Sequence, residues 1–484
     1  MVDRSIFLNI SPLDHRYSLS EKPVFDALLP WLSEEASINA CVKCEIALVN
    51  AHLQNKAIGA GFKPALQDRL SFNDIQINPA EIYAEEEKTK HNIRALVNVL
   101  KQKVPADIAP LVHLGATSVD ILDTSLAYRM KGVTREVLLP LLRHLENELC
   151  DFAEREADTP QVGRTHGQHA VPITVGFAIA EYVSRLGKSI IEIEKLSNNL
   201  KGKLAGATGS YNATSMIVKD PEELERLYLA ELGLEASEHS TQLVEPEYLL
   251  RLLLECNLAF GIIANLADDL RHLQRSEIGE LREGFAAEQV GSSTMPQKRN
   301  PWNSEHVKSL WKAFMPRVIT FYMDQISEHQ RDLSNSASQR FVAEYITGFC
   351  FAINRMTGVI EGLGVDRERL MVNLRGSRKE EGGSRKGMQG GVLAEPAYIL
   401  LAESGVSDAH EVIRKITLKA EKENLAFAEA LATNTDALQR ITTQMKKLGI
   451  IKEEKEALEW FHHPERYCGL AAKKATELAR KYKN

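Results

Sequence analysis

Long apolar runs are missing from this sequence. No uninterrupted stretch approaches the ~18 residues of a membrane span, and Met1 to Asp14 lacks the basic-then-apolar order of a secretory signal. Basic blocks are missing too: Lys and Arg number 59 against 66 Asp and Glu, and the net charge of −7 is spread along the chain. That balance speaks against a general nucleic-acid or membrane-surface binder. The six cysteines are scattered, which sets up no disulfide framework and points to a reducing cytoplasm. Cys41 and Cys44 form one C-x-x-C pair, but they share a face of a predicted helix with no second ligand pair near, and read as packing residues. Convincing strand alternation is nearly absent.

What is present is helical periodicity, on a chain of 484 residues that suggests about three domains. After Pro246, the residues Leu249, Leu252, Leu253, Cys256, Phe260, Ile263, Leu266, Leu270 and Leu273 repeat at three- and four-residue steps, a pattern that runs to about Leu281. A helix of that length extends ~50 Å and must pack against other long helices, for which Leu138 to Glu154 and Val175 to Leu200 are candidates. Proline and glycine divide the chain into an N-terminal helical part (1–112), a central long-helix bundle (113–370) and a C-terminal helical part (371–484). Gly59 to Pro64 and Asn78-Pro79 interrupt the first part, and Arg375 to Gly391, glycine-rich and charged, reads as a mobile loop. The expected fold class is all-α.

Three polar islands interrupt the apolar helices: His113 to Asp120, Gly163 to His169, and Glu288 to Pro301. Each has an ordinary reading. Thr117, Ser118 and Asp120 suit a helix cap; His166 and His169 have a spacing seen in metal sites but no third ligand; Gly291 to Pro301 resembles a solvated connection. The last is not a Walker loop, because the second glycine and the hydroxyl residue after the lysine are missing. Together the islands offer complementary chemistry. His166 can deliver a proton at neutral pH, and Ser292 lies in a glycine-containing loop whose N–H groups, with Lys298, can stabilise an alkoxide. Thr117, Ser118, Lys298 and Asn300 can hold carboxylates. The set suits removal of a carbon-bound proton beside a carboxylate and protonated departure of a leaving group.

The run Gly291-Ser-Ser-Thr-Met-Pro-Gln-Lys-Arg-Asn300-Pro301 resembles the signature loop of the fumarase/aspartase superfamily, whose members eliminate fumarate. Within it the chain is most similar to the adenylosuccinate lyase family. Ser11 to Tyr17 resembles that family's N-terminal motif, Thr89-Lys90-His91-Asn92 its T-x-H-D segment, and Arg331-Asp-Leu-Ser334-Asn-Ser336, followed by Arg340, its R-D-L-S-x-S…R segment. Asn92 stands where the family has aspartate. Thr241 to Pro246 resembles the T-Q-x-E-P run but departs from it by one extra residue, and the resemblance implies Gln242 as the substrate-binding glutamine. The related carboxymuconate cycloisomerases carry tryptophan at the place of His166.

The resemblance implies cleavage of adenylosuccinate to AMP and fumarate, and of SAICAR to AICAR and fumarate, with no cofactor and no metal. Ser292 becomes the general base and His166 the acid that protonates the leaving nitrogen. Arg16 and Tyr17 bind the nucleotide phosphate, His91, with Lys90 and Asn92 beside it, lies near it, and His113 orients either His166 or the phosphate. Thr117, Ser118, Thr165, Gln242, Ser293, Lys298, Asn300, Arg331, Ser336 and Arg340 complete the expected substrate contacts. The family also implies a homotetramer with each site built from several subunits. Helix length agrees, since the two ends of a ~50 Å helix cannot share one pocket. A non-enzymatic structural relative, or another fumarate-releasing lyase such as argininosuccinate lyase, are the alternatives.

Overall fold

In a computed structural model the described residues are 5–55, 70–71, 75, 77–286, 288–376 and 389–483. Gly59 to Pro64 and most of the Arg375 to Gly391 stretch lie outside them. The chain divides into two compact units: Met1–Arg143 with Lys188–Gly261 and Ser309–Asn354, and His144–Gly187 with Ile262–Lys308 and Arg355–Asn484. Both are built mainly of helices, as the periodicity predicts.

The first unit is organised around the helix Glu34–Gln54. Ser33 caps it by accepting the Ala36 N–H at 3.0 Å, and Glu34 and Glu35 sit in its positive first turn. Fourteen of its residues are buried, Cys41 and Cys44 among them, so the C-x-x-C pair does pack. Two other helices of the unit, Lys22–Leu32 and Ser118–Val133, meet at Gly132, where a Cβ would fall 2.0 Å from the Trp31 ring; only glycine admits the indole. Past Val133 the helix continues through one π-helical turn, Thr134–Leu138, into Leu139–Arg155. Pro140 explains the wider turn, because it has no N–H to give to the carbonyl four residues back and its ring would crowd that carbonyl.

The long helix after Pro246 spans Glu247–Leu273, about 40 Å, and not the full distance to Leu281. The chain turns back at its end: Gly279, in the left-handed region at φ 63°, donates to the Arg275 carbonyl at 2.7 Å, and Glu280 donates to the Leu273 carbonyl at 2.9 Å. Although the sequence has no unbroken apolar run, this helix is long and apolar enough by length and composition to cross a membrane. Its apolarity has another use, since Leu252, Leu253, Cys256, Phe260, Ile263, Leu266 and Leu270 are all buried among protein atoms.

The second unit contains an element that the sequence pattern did not announce, an antiparallel hairpin of Pro160–Thr165 with Gln168–Thr174. Its strands do not alternate cleanly because a bulge shifts the register between Val162 and Arg164. The last six helices, from Ala394–Glu403 to Ala471–Tyr482, include those that close a separate apolar cluster around Leu400, Phe427, Leu431, Ile441, Met445 and Phe461.

Candidate active site

The first island lies in the first unit. His113 has a left-handed backbone (φ 64°), Gly115 follows at φ 81°, and Thr117 begins the helix Ser118–Val133. Its N–H donates to Asp120 Oδ2 at 2.8 Å, so the capping reading of the island holds. Asp120 does more than cap. It is fully buried, and its other oxygen accepts from Lys203 Nζ and from the Gly206 N–H. Lys203 is equally buried and also donates to the Gly206 carbonyl at 3.0 Å. This ion pair fixes the Thr117–Ser118 turn from below, and nothing in the spacing of Lys203 marks it beforehand.

His91 caps the helix Asn92–Lys103 through Nδ1, and its Nε2 lies 3.4 Å from Ser118 Oγ, so two predicted substrate contacts meet. Lys90 closes the preceding helix at φ 55°, and both Lys90 and Asn92 are exposed. Gln242 Oε1 accepts from Arg331 Nη1 at 3.1 Å, bringing a second predicted pair together. Arg331 Nε is buried without a hydrogen-bond partner among the described residues, a guanidinium donor that still lacks an acceptor there. Tyr17 stacks on Phe351 with ring centroids 5.4 Å apart, while Arg16, Ser336 and Arg340 are exposed. Asp123, which accepts the Val244 N–H, has its carboxyl pushed up to about 6 by burial.

The second and third islands lie in the second unit. Thr165, His166, Gly167 and Gln168 form the exposed tip of the hairpin, and His166 (φ 52°) and Gly167 (φ 72°) make a tight turn that needs two left-handed residues. Beneath it Glu280, fully buried, accepts from Arg164 Nη1 at 3.0 Å and Nη2 at 2.5 Å, from Gln161 at 2.8 Å and from Asn373 at 2.9 Å. Four donors on one carboxylate fix the base of the hairpin that carries His166.

In the loop around Ser292, Oγ accepts from the backbone N–H groups of Met295 at 3.1 Å and Thr294 at 3.4 Å. Dipoles aimed at a hydroxyl oxygen favour negative charge on it, which a serine base needs. Asn300 Nδ2 donates to the Gly291 carbonyl at 3.0 Å, and a Cβ at Gly291 would fall 2.1 Å from the Lys298 carbonyl. Lys298 and Ser293 are exposed. Among the described residues no hydrogen bond joins His166 to Ser292. The one group of His and carboxylate donors close enough to share a cation there, His144, Glu148 and Glu361, belongs to none of the three islands.

Backbone strain provides an independent signal. Six described non-glycine residues have left-handed φ, and Lys90, His113 and His166 are three of them, with His329 a fourth just before Arg331. Such residues persist where the surrounding structure holds them against the strain, and they gather at functional sites.

Comparison with known proteins gives the same direction. The family model described as lyase matches residues 26–313, and that described as adenylosuccinate lyase C-terminal matches 327–452. An adenylosuccinate lyase of Pyrococcus abyssi is 31% identical over 439 residues, covering 90% of this chain and 92% of its own. That of Pyrococcus horikoshii is 30% identical over 98% of this chain and 97% of its own. Among solved structures, a 3-carboxy-cis,cis-muconate lactonizing enzyme from Pseudomonas putida superposes with a TM-score of 0.77 at 22% identity, over 94% of this chain and 97% of its own. A fumarate lyase from Mesorhizobium sp. BNC1 gives 0.76 at 21%, over the same shares. These two establish the fold alone; the matched models and relatives establish that the chain belongs to the adenylosuccinate lyase family.

Proposed function

We propose that this protein is an adenylosuccinate lyase, a carbon–nitrogen lyase that eliminates fumarate from adenylosuccinate to leave AMP and from SAICAR to leave AICAR. The observation that carries the reading is the near end-to-end similarity to enzymes of that name, over a chain that retains both His166 and Ser292. Ser292 removes the proton from the succinyl carbon, and the two N–H groups on its Oγ support that role. His166 protonates the departing nitrogen. Lys298 and Asn300, with Thr117 and Ser118, bind the carboxylates; as the carbanion forms, Lys298 stabilises the charge that spreads onto one of them. Arg16, Tyr17 and His91 hold the phosphate, His113 orients either His166 or the phosphate, and Arg331 supplies a donor to the anionic substrate from beside Gln242.

The same reading makes the protein a cytoplasmic homotetramer with shared sites and three domains, 1–112, 113–370 and 371–484. Exposed apolar side chains support assembly: Ile191, Leu258, Ile319, Met323 and Ile326 are each more than half exposed in the single chain. The test is to incubate the assembled protein with adenylosuccinate and follow the ultraviolet change as fumarate forms. Turnover is expected. Its absence would overturn the reading in favour of a non-enzymatic relative or, if argininosuccinate is cleaved instead, of another fumarate-releasing lyase.

A further inference from the structure

Glu45 sits in the interior of the helix Glu34–Gln54, where none of its surface is exposed. A carboxylate taken from water needs partners for its oxygens. Oε1 accepts from His113 Nδ1 at 2.7 Å, whereas Oε2, also buried, has no hydrogen-bond partner among the described residues. Three other polar groups, Lys43 and His52 on the same helix and Arg129 on Ser118–Val133, make their hydrogen bonds elsewhere. His52 bonds the Leu114 carbonyl through Nε2, Lys43 donates to the Tyr128 hydroxyl, and Arg129 donates to the Trp31 carbonyl; His52 Nδ1 and Arg129 Nε are buried without a partner among the described residues, and neither is bonded to Glu45. The Cys41 and Cys44 thiols, which also feel the Glu45 charge, are pushed up by burial and stay neutral. Among the described residues Glu45 is therefore held by one ring.

That ring is unusual on its own account. His113 holds a left-handed backbone at φ 64°, a strained conformation for a residue with a side chain, in the turn that leads to Thr117 and Ser118. Its side chain is 22% exposed. With Nδ1 donating to Glu45, Nε2 is the one ring nitrogen left to meet a ligand, and it has no partner among the described residues.

We infer that Glu45 is a positioning residue of the lyase site: it locks His113 in the Nδ1–H form with its ring plane fixed, so that Nε2 is presented to an anionic oxygen of the succinyl nucleotide. Binding places on Nε2 a proton supplied by solvent or by a phosphate monoanion, so that both nitrogens donate and the ring lies between two anionic oxygens, one of them the protein's own. The inference rests on the lyase reading for the identity of the ligand. A phosphate and a carboxylate oxygen present the same chemistry, and the two products, AMP and fumarate, separate them.

The experiment is steady-state kinetics of the assembled protein with adenylosuccinate, for the native chain, Glu45→Gln and Glu45→Ala, with thermal unfolding as the folding control. Glutamine keeps an acceptor for Nδ1–H and removes only the charge. The expected result is a KM raised about tenfold or more in Glu45→Ala and about threefold in Glu45→Gln, with kcat within about twofold in both, as for loss of a hydrogen bond to a charged group. Product inhibition should weaken for AMP alone if the ligand oxygen is on the phosphate, and for fumarate alone if it is on a carboxylate. Should Glu45→Ala fail to fold, the isosteric glutamine variant carries the test. Unchanged KM in Glu45→Gln, a fall in kcat without a rise in KM, or equal losses in both variants would overturn the positioning role. Failure of the native protein to turn over adenylosuccinate would instead remove the lyase reading on which the ligand's identity rests.

Discussion

Glu146 shows what burial does to a single residue that the chemistry does not use. It has no exposed surface, neither oxygen has a hydrogen-bond partner among the described residues, and burial pushes its carboxyl up from 4.5 to about 9. Between these two values the folded chain holds a proton that the unfolded chain releases, so this group makes stability fall as pH rises from about 4.5 to about 9. Glu146→Gln removes the ionisation. We expect the variant to match the native protein near pH 5 and to exceed its stability at pH 9 by about 1–3 kcal/mol. Thermal unfolding at the two pH values checks this, and an unchanged native slope after substitution would contradict it. At the same scale, His166 and Ser292 were legible because imidazole and hydroxyl chemistry is specific to residue type. Glu45, Lys203 and Glu280 were not, and Asp120 was legible only as a cap, because a buried charged residue is known only by the partners that the fold brings to it.

The hairpin Pro160–Thr165 with Gln168–Thr174 and the loop around Ser292 are the elements that carry His166 and Ser292, the two groups proposed to react. The hairpin depends on Glu280. Glu280→Ala leaves Arg164, Gln161 and Asn373 without their shared acceptor, and we expect a loss of about 3–5 kcal/mol, as for breaking a buried ion pair. Denaturant unfolding measures the loss, and hydrogen exchange should show it first at the hairpin amides. The loop depends on Gly291 instead. Gly291→Ala forces its backbone away from the Lys298 carbonyl and shifts Ser292, so kcat/KM should fall about 100-fold while Tm stays close to the native value. A drop in Tm with activity retained would contradict the assignment. The helices were readable from apolar spacing, and the hairpin was not. Its bulge between Val162 and Arg164 breaks the period-two pattern on which strand recognition relies.

At the scale of the whole molecule the question is whether sites are shared between chains. Ser292→Ala and His166→Ala should each lower kcat by about 100-fold or more with the assembly intact. If one site takes Ser292 from one subunit and His166 from another, an equal mixture of the two variants, after subunit exchange, regains activity in about a quarter of its sites. Activity of the mixture that stays at the level of the separate variants, with exchange proven by a mass-tagged subunit, would mean that each chain supplies both groups to its own site.

The amino-acid sequence determined the helical class, the long helices and the three polar islands, because these follow from apolar spacing and residue chemistry along one stretch of chain. Tertiary structure decided where the helix after Pro246 stops, that His166 stands on a hairpin tip, and which carboxylates lie behind the polar islands. Those outcomes come from groups far apart in sequence, Glu45 with His113, Lys203 with Asp120, and Arg164 with Glu280. A charge removed from water must find its counterpart wherever the folded chain has put one.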